Sequence, residues 1–459
     1  MLQARVSVAL SNDKSVREAY EADASGLHLI PELVARPDSI DEVVEVMRRA
    51  AADGIAVTCA GAQTSTTAAS ITDGGILLSL RSIAGVTLDT TAKTITTGPG
   101  ALVGDIKRTA AAAGLLFAPD PTSEEESTIG GAIACNASGA RTFKYGATRQ
   151  HVQAIKVVLA NGDLKTFRRS NLEKNTVGYA FAHDPIDWFI GSEGTLGIIV
   201  EAELLLLPLP KHVVGLAVFF RTEADALKFV IGARESRTVA PRCIEYFDDQ
   251  AVAIARRATS GASIPDGSTA MVYVEEEVMD DLDSSLERWS DLLEKLAPDF
   301  EPLVFDGEAR LRDARQMRHS IPATMNERGA KYFRAGGRKV STDWAVPYAK
   351  LGDAICHARE IASALDLAPP VVYGHAGNGH PHENFVARDE KELATIERAV
   401  EDTLRHVITL GGTVAAEHGI GKLKRRWLPL QMNSLQIAMM GAVKRELDPQ
   451  GLLAPGNIL

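Results

Sequence analysis

Between Tyr373 and Asn384 the chain reads Tyr-Gly-His-Ala-Gly-Asn-Gly-His-Pro-His-Glu-Asn, and Gly377, Gly379 and Pro381 exclude a stable helix across it. Whatever forms here is turn or strand, with glycines that let neighbouring side chains approach one ligand without obstruction. A second segment, Ala416-Glu-His-Gly-Ile-Gly421, has the same character, and the two together hold four of the chain's 11 histidines. A neutral imidazole binds a divalent ion through one ring nitrogen, and a carboxylate can complete a three-ligand set with positions left open for substrate. His375 and His382 are seven apart, which on one regular strand would point them to opposite faces, so a curled loop is expected to bring both to one ion. Glu417 and His418 are adjacent and diverge if extended, which suits a pair in which one holds a metal and the other faces substrate.

A chain of 459 residues, 45% hydrophobic, exceeds what one core usually supports, so two domains and room for a large cofactor are expected. Net charge is −11, and the basic residues are scattered except for Lys422-Leu-Lys-Arg-Arg426, read as a solvated helix face; no nucleic-acid partner is expected. Cys59, Cys135, Cys243 and Cys356 lie far apart, which argues against an iron–sulfur site, a zinc knuckle or a disulfide framework. The region of Asp13, Lys14 and Glu18 carries no apolar h-region, and no apolar run approaches the roughly 20 residues of a membrane helix. The expectation is a reduced, cytoplasmic protein with no transmembrane segment, in which any membrane association is peripheral.

Local patterns point to an α+β chain. Pro37 to Gly54 supplies a cap, an acidic first turn and the apolar stripe Val43, Val44, Val46 and Met47 of a helix, followed by a strand at Ile55–Thr58. Further strands are expected at Ile76–Leu80, Val86–Leu88, Thr94–Thr97 and Val152–Leu159, the last entering a hairpin at Asn161-Gly162. Ile198 to Leu207 is another apolar run, and Pro208 and Pro210 then mark a boundary. Beyond it, Val213–Phe220 and Ala270–Glu275 read as strands, Glu223–Ala233 and Asp281–Leu296 as amphipathic helices, and Leu435–Leu447 as a terminal helix. These signals divide the chain into residues 1–209, 210–425 and a tail, 426–459, that docks back on the first domain.

Several small-residue loops could offer backbone N–H groups to a pyrophosphate: Gly61 with Thr64 and Ser65, or Gly130-Gly131 with Asn136 and Ser138. Neither is a G-x-G-x-x-G or a Walker motif, so Rossmann and P-loop folds are disfavoured. Taken in order, the pieces resemble the FAD-binding domain of the vanillyl-alcohol oxidase family, also called p-cresol methylhydroxylase-type. They are Ala60, Gly61, Ala62, Gln63, Thr64 and Ser65; Thr128, Gly130 and Gly131 with Asn136, Ser138 and Gly139; Tyr145 and Gly146; and Glu193, Gly197 and Ile198. The C-terminal segments are similar to the substrate (cap) domain of the FAD-linked D-2-hydroxyacid dehydrogenase branch, which includes D-lactate and D-2-hydroxyglutarate dehydrogenases and the glycolate oxidase flavin subunit.

That resemblance implies a two-domain α+β fold, with the Gly61 and Gly130-Gly131 loops holding FAD and Glu193 to Ile198 passing its adenosine half. The first loop has Ala68-Ala69 where the family commonly has a glycine pair and carries no flavin-linking histidine, so FAD is expected to be non-covalent. The resemblance assigns His375, His382 and Glu417 to a divalent metal (zinc, manganese or iron), His418 as general base and Asn384 as a substrate residue. Asn378 and His380 stand where the family has Asp and Asn, so His380 could join or replace a ligand. In Arg318-His-Ser-Ile-Pro322 and Arg338-Lys-Val-Ser-Thr-Asp343, Arg318 resembles the family's carboxylate anchor and Lys339 a second cation; surface salt bridging is the competing role. The implied reaction oxidises a small D-2-hydroxyacid to the 2-oxoacid: metal on the hydroxyl, His418 taking its proton, hydride passing to flavin N5. A quinone, cytochrome or electron-transfer flavoprotein would accept the electrons, and a homodimer is one expected assembly. Competing readings are an FAD oxidase of sugars or alcohols, an alkyl-transferring flavoenzyme without net redox, and a non-catalytic subunit of a glycolate oxidase complex.

Overall fold

A computed structural model describes residues 8–258, 264–296 and 298–459; residues 1–7 of the expected first domain lie outside the described residues. The chain forms two compact units, one from Met1–Gly139, Gly146–Leu209 and Glu417–Leu459, the other from Ala140–Tyr145 and Pro210–Ala416. The second crossing between units falls at Ala416/Glu417, between Gly411-Gly412 and Gly419, rather than after residue 425.

The first unit is built on two main sheets. One has the order Leu10–Ser11, Leu33–Ala35, Ile76–Ser79, Val57–Ala60, with both pairings of Ile76–Ser79 parallel. Against it lies the helix Ile40–Asp53: Ser39 accepts from the Glu42 amide at its start, and Gly54, at φ 66°, ends it in the left-handed conformation. Val43, Val46, Met47 and Ala50 form its buried stripe and join Val57, Ile76 and Leu78 in one core, each larger side chain contributing roughly 1.5–3 kcal/mol. The other sheet is antiparallel, in the order Val86–Asp89, Thr94–Thr97, Ile198–Leu205, Val152–Val158, Leu164–Arg168, with the turn at Asn161-Gly162 closing the last pair. The C-terminal stretch joins the first sheet: the Val57 amide donates to Leu452 O at 2.8 Å and the Ala454 amide to Val57 O at 2.8 Å. Lys422–Arg426 is not a solvated helix face. Lys422 Nζ donates to Asn457 Oδ1 at 2.8 Å, Lys424 is buried, and only Arg425 and Arg426 are exposed.

The second unit carries one antiparallel seven-stranded sheet, ordered Leu303–Asp306, Val213–Phe220, Ala270–Glu277, Pro241–Phe247, Val371–His375, His380–Val386, Lys339–Ser341. Pro241–Phe247 lies in the middle and is buried at every position, so both faces are covered. One face meets the helices Asp249–Ala258 and Gly307–Ala330 through Phe247, Tyr273, Tyr373, Ala251, Met317 and Ile321. Among the described residues no helix is long and apolar enough to cross a membrane.

Candidate active site

The histidines reach one another through a hairpin, not the expected curled loop. Val371–His375 runs into a short turn, Ala376–Asn378, and His380–Val386 returns antiparallel, with His375 opposite His380 and Tyr373 opposite His382. Once the chain reverses, face is decided by register and not by spacing along one strand, and residues paired directly across an antiparallel ladder share a face. His375 and His380 are such a pair, and His382 is two residues on, so all three imidazoles stand on one side. Ring centroids are 5.4 Å apart for His375–His380, 5.2 Å for His375–His382 and 4.6 Å for His380–His382. Their ligand atoms lie within 4.8 Å of one another, and all three residues are buried. Gly379, at φ 69°, makes the turn: a Cβ there would overlap the carbonyl oxygen of Val346.

Around these rings sit groups that the sequence did not single out. Glu245, in the middle strand and 1% exposed, lies 2.6 Å through Oε1 from His375 Nδ1, and its Oε2 accepts from Arg318 Nε at 2.6 Å. Burial alone would raise its carboxyl, but its partners His375 and Arg318 outweigh that and hold it well below the usual carboxylate range. His380 Nε2 is 3.3 Å from Asp343 Oδ1. On the opposite face of the hairpin, Glu383 accepts from Trp344 Nε1 at 3.1 Å, and burial pushes its carboxyl up to about 8. A carboxylate inside the apolar run Cys243-Ile-Glu-Tyr-Phe247 is the signal that could have found Glu245, since glutamate is almost never fully buried without a partner.

The expected substrate residues lie on the same sheet and on a helix packed against it. Arg318 is mostly buried on Gly307–Ala330, joined to His375 through Glu245. Asn384, opposite Val371, shares the face of His380 and His382, and its amide donates to His382 O at 3.1 Å. Lys339, paired with Val386, donates to Asn326 Oδ1 at 3.0 Å, and burial lowers its amine to about 8. Glu417 begins the stretch that belongs to the first unit, one peptide bond after Ala416, whose amide donates to Asp343 O at 2.8 Å.

In the first unit, three of the four loop segments converge. Ala60 ends a strand and Gly61 turns against Thr128, whose Oγ1 a Cβ at Gly61 would overlap. Thr128 precedes the helix Ile129–Cys135, which contains Gly130 and Gly131, and Asn136 caps its end at φ 50°. The Glu193 amide donates to Ala134 O at 2.9 Å, and Asn457 Nδ2 donates to Ala69 O at 2.9 Å and Glu193 O at 3.2 Å. Among the described residues the backbone N–H groups of Ala62, Gln63, Thr64 and Ser65 meet no acceptor, and Thr128 Oγ1 is buried without a partner. Half-buried donors left this way suit an anionic group such as a pyrophosphate. Ala68, at φ 61°, adopts the left-handed conformation that favours glycine. Ser138 is buried, and Gly139 passes so close to Asp120 that a Cβ would overlap its carbonyl. Tyr145 belongs to the second unit and Gly146, at φ 80°, to the first.

Other expected cofactor positions have tasks inside the protein. The Glu193 carboxylate accepts from the amides of Ile420 at 2.6 Å and Gly421 at 2.7 Å. Gly197 makes room for Val157 and Phe189, and the Ile198 side chain is in the core. The His418 carbonyl accepts from Thr67 Oγ1 at 3.4 Å, which fixes the backbone of that histidine to the first small-residue loop.

Residues 31–168 match the family described as FAD binding domain, and residues 209–458 match FAD linked oxidases, C-terminal domain. The chain belongs to the FAD-linked oxidases. Among relatives of this FAD-linked oxidase, D-2-hydroxyglutarate dehydrogenase of Xanthomonas citri pv. viticola is 30% identical over 93% of this chain and 89% of its own. Glycolate oxidase subunit GlcD of Bacillus subtilis is 28% identical over 96% and 92%. D-lactate dehydrogenase of Anaerostipes hadrus is 27% identical over 93% and 89%. A solved alkyldihydroxyacetonephosphate synthase shares the fold, with a TM-score of 0.73 over 97% of this chain and 83% of its own at 18% identity. An FAD-binding domain with a C-terminal oxidase domain is thus the two-domain α+β architecture of this enzyme, and FAD its cofactor.

Proposed function

We propose that this FAD-linked oxidase oxidises a D-2-hydroxyacid, D-lactate or a close analogue, to the 2-oxoacid. The observation that carries the reading is the trio of buried imidazoles on one hairpin face with Arg318 tied to it through Glu245, a set that simple flavin-dependent alcohol oxidation does not need. The relatives' names support it, since glycolate, D-lactate and D-2-hydroxyglutarate are all 2-hydroxyacids. His375 and His382, with Glu417, have the donor chemistry for zinc, manganese or iron, and His380, whose ligand atom lies in the same group, is a fourth candidate that would join or replace one of them. When bound, FAD supplies the hydride acceptor and a divalent ion the Lewis acidity that lowers the hydroxyl pKa. Arg318 clamps the substrate carboxylate, Asn384 and Lys339 help to position it, and His418 takes the hydroxyl proton as hydride leaves C2. With no histidine in the Gly61 loop to link it, FAD is held non-covalently.

The test is anaerobic. D-lactate, D-2-hydroxyglutarate, glycolate and L-lactate are each mixed with the FAD-loaded protein while flavin absorbance is followed. Bleaching by a D-2-hydroxyacid and not by L-lactate is expected. His418→Ala should retain FAD and bleach on the order of 10²–10⁴-fold more slowly, the usual contribution of a positioned base. Silence toward all four acids, or an undiminished rate in that variant, overturns the reading.

A further inference from the structure

We propose that Glu245 is a positioning residue that sets His375 and Arg318 with a single carboxylate, so that metal affinity and substrate affinity are coupled through one side chain. The inference rests on the reading above, which assigns His375 to a metal and Arg318 to the substrate. Glu245 and His375 are cross-strand neighbours in the ladder that pairs Tyr246 with Gly374. One carboxylate oxygen faces His375 Nδ1 at 2.6 Å and the other Arg318 Nε at 2.6 Å, on a residue that is 1% exposed. An ionised carboxylate only accepts, so Nδ1 carries the proton and the lone pair is on Nε2, the atom a metal would use. The same carboxylate accepts from Arg318 Nε, and Arg318 Nη2 lies 3.5 Å from His375 Nδ1, so one carboxylate fixes the guanidinium and the imidazole side by side.

The substitution Glu245→Gln discriminates sharply. An amide offers one acceptor and one donor, so either Arg318 Nε faces another donor or His375 switches tautomer, which moves its proton to Nε2 and removes the lone pair a metal would use. Glu245→Asp keeps two acceptors on a shorter stem. The competing explanation is charge neutralisation in a buried sheet, and the protein contains its own control for that. Glu275 is 3% exposed in the next strand and accepts from Arg242 Nε at 2.7 Å, Arg141 Nε at 3.3 Å and the Tyr273 hydroxyl at 3.0 Å, with no histidine among these partners. Glu275→Gln should lower thermal stability and leave metal affinity alone.

The experiment titrates Zn²⁺ into chelator-stripped, FAD-loaded protein against a chromophoric competitor, and measures the KM of the bleaching substrate for each metal-loaded variant. Glu245→Gln should weaken Zn²⁺ binding roughly tenfold to a hundredfold, the range for lost outer partners of metal-bound histidines, and raise KM by a similar factor. Glu245→Asp should recover part of both, and Glu275→Gln should match wild type in both. If wild type takes up Zn²⁺ and Glu245→Gln takes it up equally well, the inference is overturned while the metal reading stands. A shift of equal size in Glu275→Gln also overturns it, because the effect would then be general to buried carboxylates. Wild type that takes up no Zn²⁺ overturns the metal reading and this inference together.

Discussion

Lys339 has a half-buried amine whose nearest acceptor is Asn326 Oδ1, and no carboxylate pairs with it among the described residues. Desolvation lowers its pKa from 10.5 to about 8. The folded chain therefore releases this proton at lower pH than the unfolded chain does. Between about 8 and 10.5 the unfolded state binds more protons, and this residue's contribution to stability rises with pH across that window. Substrate binding should run the other way, because the positive charge available to an acid substrate disappears above about 8. KM measured from pH 7 to 9.5 is expected to climb in wild type, stay flat and high in Lys339→Met, and stay low in Lys339→Arg, whose guanidinium keeps its charge. Parallel KM profiles in all three would show that Lys339 does not face substrate. Residues of this kind are legible in a sequence to different degrees. His375, His382 and Glu417 could be picked out because rare, chemically distinctive types cluster among glycines. Glu245 is marked only by its apolar neighbours, because its partners lie 130 and 73 residues away.

At the scale of the element, sequence pattern located the strands Thr94–Thr97 and Val213–Phe220 residue for residue, and the helices Ile40–Asp53 and Leu282–Leu296 within a few positions, because the helices and the first strand bury one stripe or face and Val213–Phe220 is an apolar run buried on both. The hairpin that carries the histidines escaped the same reasoning. Counting spacing along one strand assumes the chain keeps its direction, and the turn at Ala376–Asn378 breaks that assumption. Two glycines separate the causes of turn strain. Gly54 and Gly379 both adopt positive φ, 66° and 69°, but a Cβ at Gly54 meets nothing within 4 Å while one at Gly379 runs into the Val346 carbonyl. Gly54→Ala should therefore cost only about 1 kcal/mol of backbone strain. Gly379→Ala adds a clash with backbone and should cost roughly 2–5 kcal/mol. Urea unfolding of the two variants checks the difference. Because the Gly379 turn sets the register of His375 against His380, its variant should also take up less metal, whereas Gly54→Ala should take up as much as wild type. Equal losses of stability would mean that the Val346 segment moves aside without cost.

Across the whole molecule, the first unit is assembled from stretches that begin and end the sequence, with most of the second unit inserted between Leu209 and Glu417. Pro208 and Pro210 signal the first crossing; the second falls at Ala416/Glu417, where the flanking Gly411-Gly412 and Gly419 read equally well as part of the histidine site. Closure of the first unit consequently depends on contacts of very long sequence separation, and Asn457 carries several. Its amide donates to Ala69 O and Glu193 O, its oxygen accepts from Lys422 Nζ at 2.8 Å, and it is 1% exposed. Those carbonyls belong to the two loops that the family resemblance gives to FAD, and the lysine to the segment that follows His418. Asn457→Ala removes the side-chain donor from the Ala69 and Glu193 carbonyls and leaves Lys422 Nζ with Ala68 O at 3.3 Å, which should cost roughly 2–4 kcal/mol. The loss should appear first as faster FAD release, since the loops that would close on the cofactor are the parts untied. Flavin fluorescence on dilution, measured beside thermal unfolding, distinguishes the outcomes. Faster release with a lower Tm supports a terminal staple across the flavin loops. A lower Tm with unchanged release would place the stabilisation away from the cofactor, and wild-type values for both would leave Asn457 no such role.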